Sequence, residues 1–319
     1  MALLLIRRLT GLVLTLLGVS LLIFAVMNLL PGDPAAIMLG TSASPDTLAA
    51  LHEVLGLNRS LPLRFMQWLT AALTGNFGQS YTYGVPVSTL IAERLAVTVP
   101  LALMAIGLSL ALALPLGVLG AARCNGFIDH LSGFVSRLFI AIPGFWTGLL
   151  LILFLAASHP IFPAGGFPGW QAGVWPAIKA LVLPALALGL PQAGILIRVT
   201  RAAVLEVLNE DFVRTARAKG LPKHVALWRH AVPNALVPVV TMLGLQFTFL
   251  IAGAVLVENV FNLSGLGRLA YQALSQRDII TMQAVVLLFA WLTLLVNFLV
   301  DLMHLRLDPR LKTSMGLTQ

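Results

Sequence analysis

Residues 97–119 read VTVPLALMAIGLSLALALPLGVL, 23 positions without one Asp, Glu, Lys or Arg, bounded by Arg94 and Arg123. A bilayer core is about 30 Å thick and an α-helix rises about 1.5 Å per residue, so about 20 predominantly apolar residues cross it. This stretch is long enough for a full span. Outward from it the chain offers five more, over 9–30, 138–157, 180–197, 235–257 and 279–300. The spacing therefore predicts a polytopic, all-α membrane protein with six transmembrane helices.

Composition agrees. The 319 residues are 59% hydrophobic and only 10% charged, with a mean hydropathy of +0.94. Soluble domains are typically about 45–50% apolar and about 25% charged. Disorder, a disulfide scaffold and an ordinary soluble enzyme are excluded, and the single cysteine, Cys124, allows no intrachain disulfide. Arg7 and Arg8 ahead of the first stretch resemble the charged start of a signal peptide. The apolar run of 9–30 is longer than the about 7–15 residues of a cleaved signal core, so it reads as a retained anchor.

The formal charge of +8 would suggest nucleic acid on a soluble domain, but its distribution reads as a membrane-orientation signal. Six spans put both termini on one side, and cytoplasmic loops carry the excess of Lys and Arg. With the termini cytoplasmic, that side holds Arg7, Arg8, Arg123, Arg137, Arg198, Arg201, Arg214, Arg217, Lys219, Lys223, Arg229, Arg306, Arg310 and Lys312, which is 14 of the 20 basic residues. The other side holds Arg59, Arg64, Arg94, Lys179, Arg268 and Arg277. The expected partner is thus a lipid bilayer and not nucleic acid.

Four regions follow: 1–30, the N-terminal segment and first span; 31–95, an external segment; 96–305, a five-helix core that includes a cytoplasmic segment 199–234; and 306–319, a cytoplasmic tail. In the external segment Ser44, Pro45 and Asp46 form a helix start, and Pro62 opens another helix that runs to Gly75. Leu48, Leu51, Val54 and Leu55 share a face of the first; Phe65, Trp68, Leu69 and Leu73 recur at helical spacing in the second. Both read as short helices against the membrane surface or against the chain's own outer face. Residues 159–175, rich in Pro and Gly, read as a loop with Trp170 and Trp175 suited to the headgroup zone.

The stretch 198–230 is charged and strongly patterned. Asn209 is placed to cap a helix over 211–219. Asp211 sits in its first turn, Arg214, Arg217 and Lys219 lie toward its end, and Gly220 supplies a left-handed stop. Phe212, Val213 and Ala216 give it an apolar flank. Pro222 opens a second short helix that ends at His230, and Pro233 marks re-entry into the membrane. A knob of this kind is either a solvated loop or a docking element for a cytoplasmic partner.

Motifs for nucleotide, metal or nucleophile chemistry are missing. There is no Gly-x-x-x-x-Gly-Lys-Ser/Thr loop, no Gly-x-Ser-x-Gly, and His52-Glu53 is followed by Val54-Leu55-Gly56 rather than by a second zinc-binding His. No catalytic residue, metal ligand or chain-bound cofactor is predicted. The span centres carry no ionisable group, unlike ion-driven transporters. Asp301 and His304, at the end of the last span, read as an interfacial polar pair. Thr147, Gln246, Thr248 and Asn297 are neutral polar residues that favour helix contacts or a wet cavity, and Gly144 with Gly148 is a small-xxx-small pair. An ion-coupled secondary transporter and a membrane-embedded enzyme stay open as alternatives.

The run Asp211-Phe212-Val213-Arg214-Thr215-Ala216-Arg217-Ala218-Lys219-Gly220-Leu221, continuing to Arg229-His230-Ala231-Val232-Pro233-Asn234-Ala235, resembles the coupling segment of ABC-importer permeases, most closely the dipeptide/oligopeptide/nickel branch. Against the general signature Glu-Ala-Ala-x3-Gly-x9-Ile-x-Leu-Pro, Ala216, Gly220 and Pro233 match in register. Arg214 replaces the Glu, Thr215 the first Ala, His230 the Ile and Val232 the Leu, as in the peptide/nickel variant. Pro31-Gly32-Asp33-Pro34, Gly75-Asn76-Phe77-Gly78-Gln79-Ser80 with Pro86-Val87, Ile142-Pro143-Gly144-Phe145-Trp146, Glu258-Asn259-Val260-Phe261 with Gly265-Leu266-Gly267, and Asp308-Pro309-Arg310 also fit.

The resemblance implies a type I ABC importer permease fold in a bacterial inner membrane, half of a pathway completed by a second homologous permease chain. It implies two cytoplasmic ATPase subunits that hold ATP and magnesium, and an external or periplasmic solute-binding protein. The coupling contact would be Asp211, Phe212, Val213, Arg214, Thr215, Ala216, Arg217, Ala218, Lys219 and Gly220. Gln246 and Thr248 are candidate pore-lining residues.

Overall fold

The computed structural model describes residues 2–29, 34–39, 44–54 and 56–307. Pro31, Gly32, Asp33, Leu55, Asp308, Pro309, Arg310 and most of the tail 306–319 lie outside them. The described residues are almost entirely helical and contain no strand beyond one antiparallel bridge between Gln79 and Pro86. In chain order the helices are α1 (Ala2–Leu29), α2 (Pro34–Leu39), α3 (Pro45–Val54), α4 (Leu61–Leu73), α5 (Val87–Ala122), α6 (Phe127–Ala141), α7 (Gly144–Ile152), α8 (Val174–Leu208), α9 (Asp211–Ala218), α10 (Lys223–Ala226), α11 (Val232–Val260), α12 (Leu266–Ser275) and α13 (Ile279–Leu307).

Among the described residues, five continuous helical stretches are long and apolar enough to cross a membrane: Arg8–Leu29, Val87–Ala122, Val174–Leu208, Lys223–Val260 and Ile279–His304. The third predicted span needs correction. Instead of one helix over 138–157, α6 ends at Ala141 and the chain bends by 94° into Gly144–Ser158. Pro143 explains the break: its ring pushes Ile142 out of helical backbone, to φ −97 and ψ 120, and it brings no N–H to continue the ladder.

The described residues sort into two compact units. One comprises Val97–Ser264 together with the last helix from Leu295 onward. Its centre is α8, with 67% of its apolar window buried inside the chain against 17–33% for the other four long helices. Lipid tails are as apolar as leucine, so burial in a membrane protein is favoured by close packing and interhelical hydrogen bonds rather than by escape from water. The α8 sequence suits this. Small residues at Ala177, Ala180, Ala185, Ala187, Gly189, Ala193 and Gly194 are all buried, and α6, α7 and α11 pack around them. Ser109 of α5 donates to the Gly189 carbonyl at 2.8 Å, and Ser136 of α6 donates to that of Gly194 at 2.6 Å.

The small pair on α7 is part of this packing. A Cβ at Gly144 would stand 2.8 Å from the Ala187 carbonyl oxygen, and one at Gly148 would stand 2.9 Å from the Phe261 ring. Neither position has room for a side chain.

The second unit comprises Ala2–Ala96 and Gly265–Leu294. Both predicted external helices are present. Ser44 caps α3, its hydroxyl accepting the Thr47 N–H at 3.3 Å, and α4 starts after Ser60 with a proline in its first turn. The aromatic side of α4 packs on α1, with Phe24 5.4 Å from Phe65 and 5.9 Å from Trp68 between ring centroids. Phe65 and Trp68 therefore serve the chain's own packing, whereas Leu73 at the end of the stripe is exposed. Asp278, buried at the start of α13, accepts the Thr281 hydroxyl at 2.8 Å, the Thr281 N–H at 3.2 Å and the Ser80 hydroxyl. Burial, reinforced by the Asp278 charge, pushes the neighbouring Tyr81 phenol up to about 12.

Candidate functional site

Helix α8 ends at Leu208, and two residues later α9 begins. The Asn209 amide turns back to donate to the Leu205 carbonyl at 2.9 Å, so it closes α8 instead of capping α9. The N-cap is Glu210, extended at φ −67 and ψ 147. The predicted helix is otherwise present over Asp211–Ala218, with Lys219 as its closing residue. Asp211 lies in the first turn and Arg217 in the last, each complementary to the helix dipole.

Gly220 has φ +94 and open space around its Cα. Its glycine identity answers to backbone conformation alone, because left-handed geometry costs an L-residue about 1–2 kcal/mol. The Gly220 N–H donates to Arg217 O at 3.0 Å and the Leu221 N–H to Ala216 O at 3.2 Å. These two bonds form the Schellman pattern, which satisfies the last carbonyls and reverses the chain sharply.

The structure divides the predicted apolar flank. Val213 is fully buried within the chain while Phe212 is 42% exposed, and Ala216 is half-buried. Residues 212 and 216 lie one turn apart; residue 213 is rotated toward the protein. Val213 is therefore unavailable for an outside contact and anchors the helix to its own chain. Arg214, Thr215, Arg217, Ala218 and Lys219 are exposed. Arg214 and Asp211 approach to 3.9 Å with side chains 66% and 98% exposed, so solvent screens their attraction.

Behind α9 the predicted second short helix does not end at His230. Helix α10 passes through a π-helical turn, Leu227–Ala231, directly into α11. Leu227, Ala231 and Ala235 pack with Val118 and Ala121 of α5 and with Ala203 and Val204 of α8. The segment that follows α9 is thus packed on α5 and α8 as it enters α11. Helix α9 itself touches α8 and α10.

The candidate pore residues diverge. Gln246 is 5% exposed and donates from its amide to the Gln192 carbonyl at 3.2 Å, a helix-to-helix bond within the chain. Thr248 is exposed on the same side as Leu245 and Phe249. Of the interfacial pair, His304 meets the Thr241 hydroxyl at 2.9 Å.

Two charged features were missed in sequence. Glu258 lies within α11, which runs past the predicted span end; it is completely buried and accepts the Thr98 hydroxyl at 2.7 Å. Asp129 and Arg201 form a bidentate ion pair between α6 and α8, with Arg201 Nη2 2.8 Å from Asp129 Oδ2. The signal for α6 was its polar face: Asp129, Ser132 and Ser136 recur at helical spacing and all are buried.

Comparison with known proteins agrees with this architecture. Residues 113–313 match the family described as "Binding-protein-dependent transport system inner membrane component", and residues 1–102 match the N-terminal region of such membrane components. The chain is 39% identical over 306 residues to the "Probable peptide ABC transporter permease protein y4tP" of Sinorhizobium fredii, covering 96% of this chain and 98% of that protein. It is 37% identical over 307 residues to the glutathione transport system permease protein GsiC of Pectobacterium atrosepticum, covering 96% and 98%. Among solved structures, an inward-facing MetNI methionine ABC transporter aligns with a TM-score of 0.57 at 19% identity, over 69% of this chain and 96% of that one; at that identity the likeness speaks for the fold alone. The chain belongs to the family of inner membrane components of binding-protein-dependent transport systems.

Proposed function

We propose that this chain forms half of the membrane pathway of an ATP-driven importer for peptides or related small solutes, in a bacterial inner membrane with both termini cytoplasmic. A second homologous permease chain completes the pathway. Two cytoplasmic ATPase subunits supply the work and hold the ATP and magnesium, and an external solute-binding protein delivers the solute. The peptide assignment is supported by the relatives, a probable peptide permease and a glutathione permease.

The observation that carries the reading is α9: an exposed helix with one aromatic side chain outward, a ring of basic residues, Val213 as root and Gly220 as sharp return. In the proposed mechanism Phe212 and Ala216 enter a groove on an ATPase subunit, and Arg214, Arg217 and Lys219 orient the contact. ATP-driven closure of the ATPases moves α9, and α5, α8 and α11 carry the motion into the spans. Coupling requires that the two states of the pathway bind the ATPase pair with different free energies.

The test is a double variant, Ala216→Glu with Gly220→Val, in vesicles containing the assembled transporter. The Gly220 change costs about 1–2 kcal/mol through backbone strain, and an assembled transporter recovered at wild-type yield checks that the chain still folds. Solute uptake and solute-stimulated ATP turnover are expected to collapse while the ATPase subunits retain basal hydrolysis. Transport at full rate rejects the assignment.

Orientation has its own test. Cys124, the single cysteine, is exposed and lies 4.0 Å from the Arg201 guanidinium, near the end of α8 that leads to α9. A membrane-impermeant maleimide is expected to label it in inverted vesicles and not in right-side-out ones; the opposite pattern overturns the cytoplasmic assignment.

A further inference from the structure

Apart from α9, the first unit contains a basic cavity of about 460 Å3 between α6 and α8. Its walls include His130, Ser132, Ser136 and Arg137 of α6 and Arg198 and Arg201 of α8. Arg201 is committed to Asp129 through both carboxylate oxygens, and that pair neutralises itself. Arg137 uses only its Nε, donating to the Gly133 carbonyl at 3.1 Å. Its terminal nitrogens, and the whole guanidinium of Arg198, have no hydrogen-bond or ion-pair partner among the described residues. The cavity therefore holds two uncompensated arginine forks, while the Ser132 and Ser136 hydroxyls are spent on the Asp129 and Gly194 carbonyls.

Its position is as informative as its charge. Arg137 immediately precedes the apolar run starting at 138, and Arg198 immediately follows the run ending at 197. Both forks thus stand where apolar sequence gives way to polar sequence. On α6, Leu131, Phe134 and Leu138 are exposed and recur at helical spacing next to the face that carries His130 and Arg137. A greasy stripe beside two free guanidinium groups at a membrane boundary matches an amphiphile with an anionic head. Guanidinium forks match the oxygen pairs of phosphate better than an ammonium does, and basic pockets between transmembrane helices suit lipid head groups.

We propose that this cavity binds the phosphate of an anionic phospholipid, with the acyl chains along Leu131, Phe134 and Leu138. The Asp129–Arg201 pair forms the rigid wall, and Arg137 with Arg198 provides the recognition. Neither the solute nor the ATPase contact enters the proposal.

The test uses the assembled transporter equilibrated with mixed phosphatidylglycerol and phosphatidylcholine, followed by native mass spectrometry of retained lipid. Wild type is expected to keep phosphatidylglycerol preferentially. Arg137→Gln with Arg198→Gln is expected to lower that retention about thirtyfold, from about 1 kcal/mol per arginine near a charged surface. Both side chains are exposed, so the melting temperature is expected to stay unchanged. The charge-preserving pair Arg137→Lys with Arg198→Lys is expected to retain an amount between wild type and the glutamine pair, because it keeps the charge and loses the fork, whereas Arg59→Gln, an exposed arginine outside the cavity, changes nothing. Equal retention of both lipids, or undiminished retention by the glutamine pair, overturns the proposal. So does displacement of the lipid by inorganic phosphate at comparable affinity, which marks a site for a soluble anion.

Discussion

Helices α8 and α9 are separated by two residues and are built on opposite terms. In α8, small side chains let three neighbouring helices close in, and serine hydroxyls bond its carbonyls. In α9, one valine is buried and the remaining side chains reach outward or lie at the margin. The first is shaped by the interior of its own chain; the second has a surface that its own chain leaves uncovered. Changes in α8 and its packing partners should therefore lower stability and transport together, whereas changes in α9 should lower transport alone.

The comparison can be broken by substitution. The largest loss of stability is expected from Arg201→Ala, which leaves Asp129 in the interior without its partner. Such losses reach about 3–5 kcal/mol for fully buried pairs, and the partial exposure of Arg201 reduces the figure to about 2–3 kcal/mol. Thermal unfolding of the purified chain reads this directly, and an unchanged transition would mean that Asp129 is solvated. Next comes Gly148→Leu, which forces a side chain into the space held by Phe261 and Ala187; overpacking of this kind costs about 1–3 kcal/mol. Transport is expected to fall in step with the melting temperature. The smallest effect on stability is expected from Arg214→Ala with Arg217→Ala, on the exposed side of α9. Melting should not move, yet co-purification with the proposed ATPase subunits should weaken and become more salt-sensitive. If the pair lowers stability as Gly148→Leu does, α9 is part of the core and the contrast fails.

Much of this was legible in the sequence, for identifiable reasons. Long apolar runs bounded by arginine locate helices because the bilayer leaves a backbone few other options. The α9 motif was legible because dipole charges and a left-handed stop are local chemistry, and Gly220 behaves as its position demands, although the cap expected at Asn209 serves α8 instead. The bend at Ile142–Pro143 was obscured because hydropathy runs across it unbroken, although the proline was the available signal. The separate identity of α6 was obscured by an inverted pattern: Asp129, Ser132 and Ser136 face inward while Leu131, Phe134 and Leu138 face outward. A stripe of polar residues reads as solvent-facing only where the surroundings are water. Val213 and Phe212 differ by one position and point opposite ways, a distinction that depends on what lies beneath α9 and not on residue type.

Pro184 and Pro191 lie inside α8, and neither has an N–H to offer the carbonyl four residues earlier. The strut that leads toward α9 is consequently missing two rungs, and the second gap, at Ala187, is where α7 presses with Gly144. Bending stiffness at that level comes from the adjoining helix acting as a splint. Loosening α7 at that level, as Gly144→Ala would by standing a methyl against the Ala187 carbonyl, is therefore expected to make α8 easier to bend there, read as faster amide exchange around Ala187.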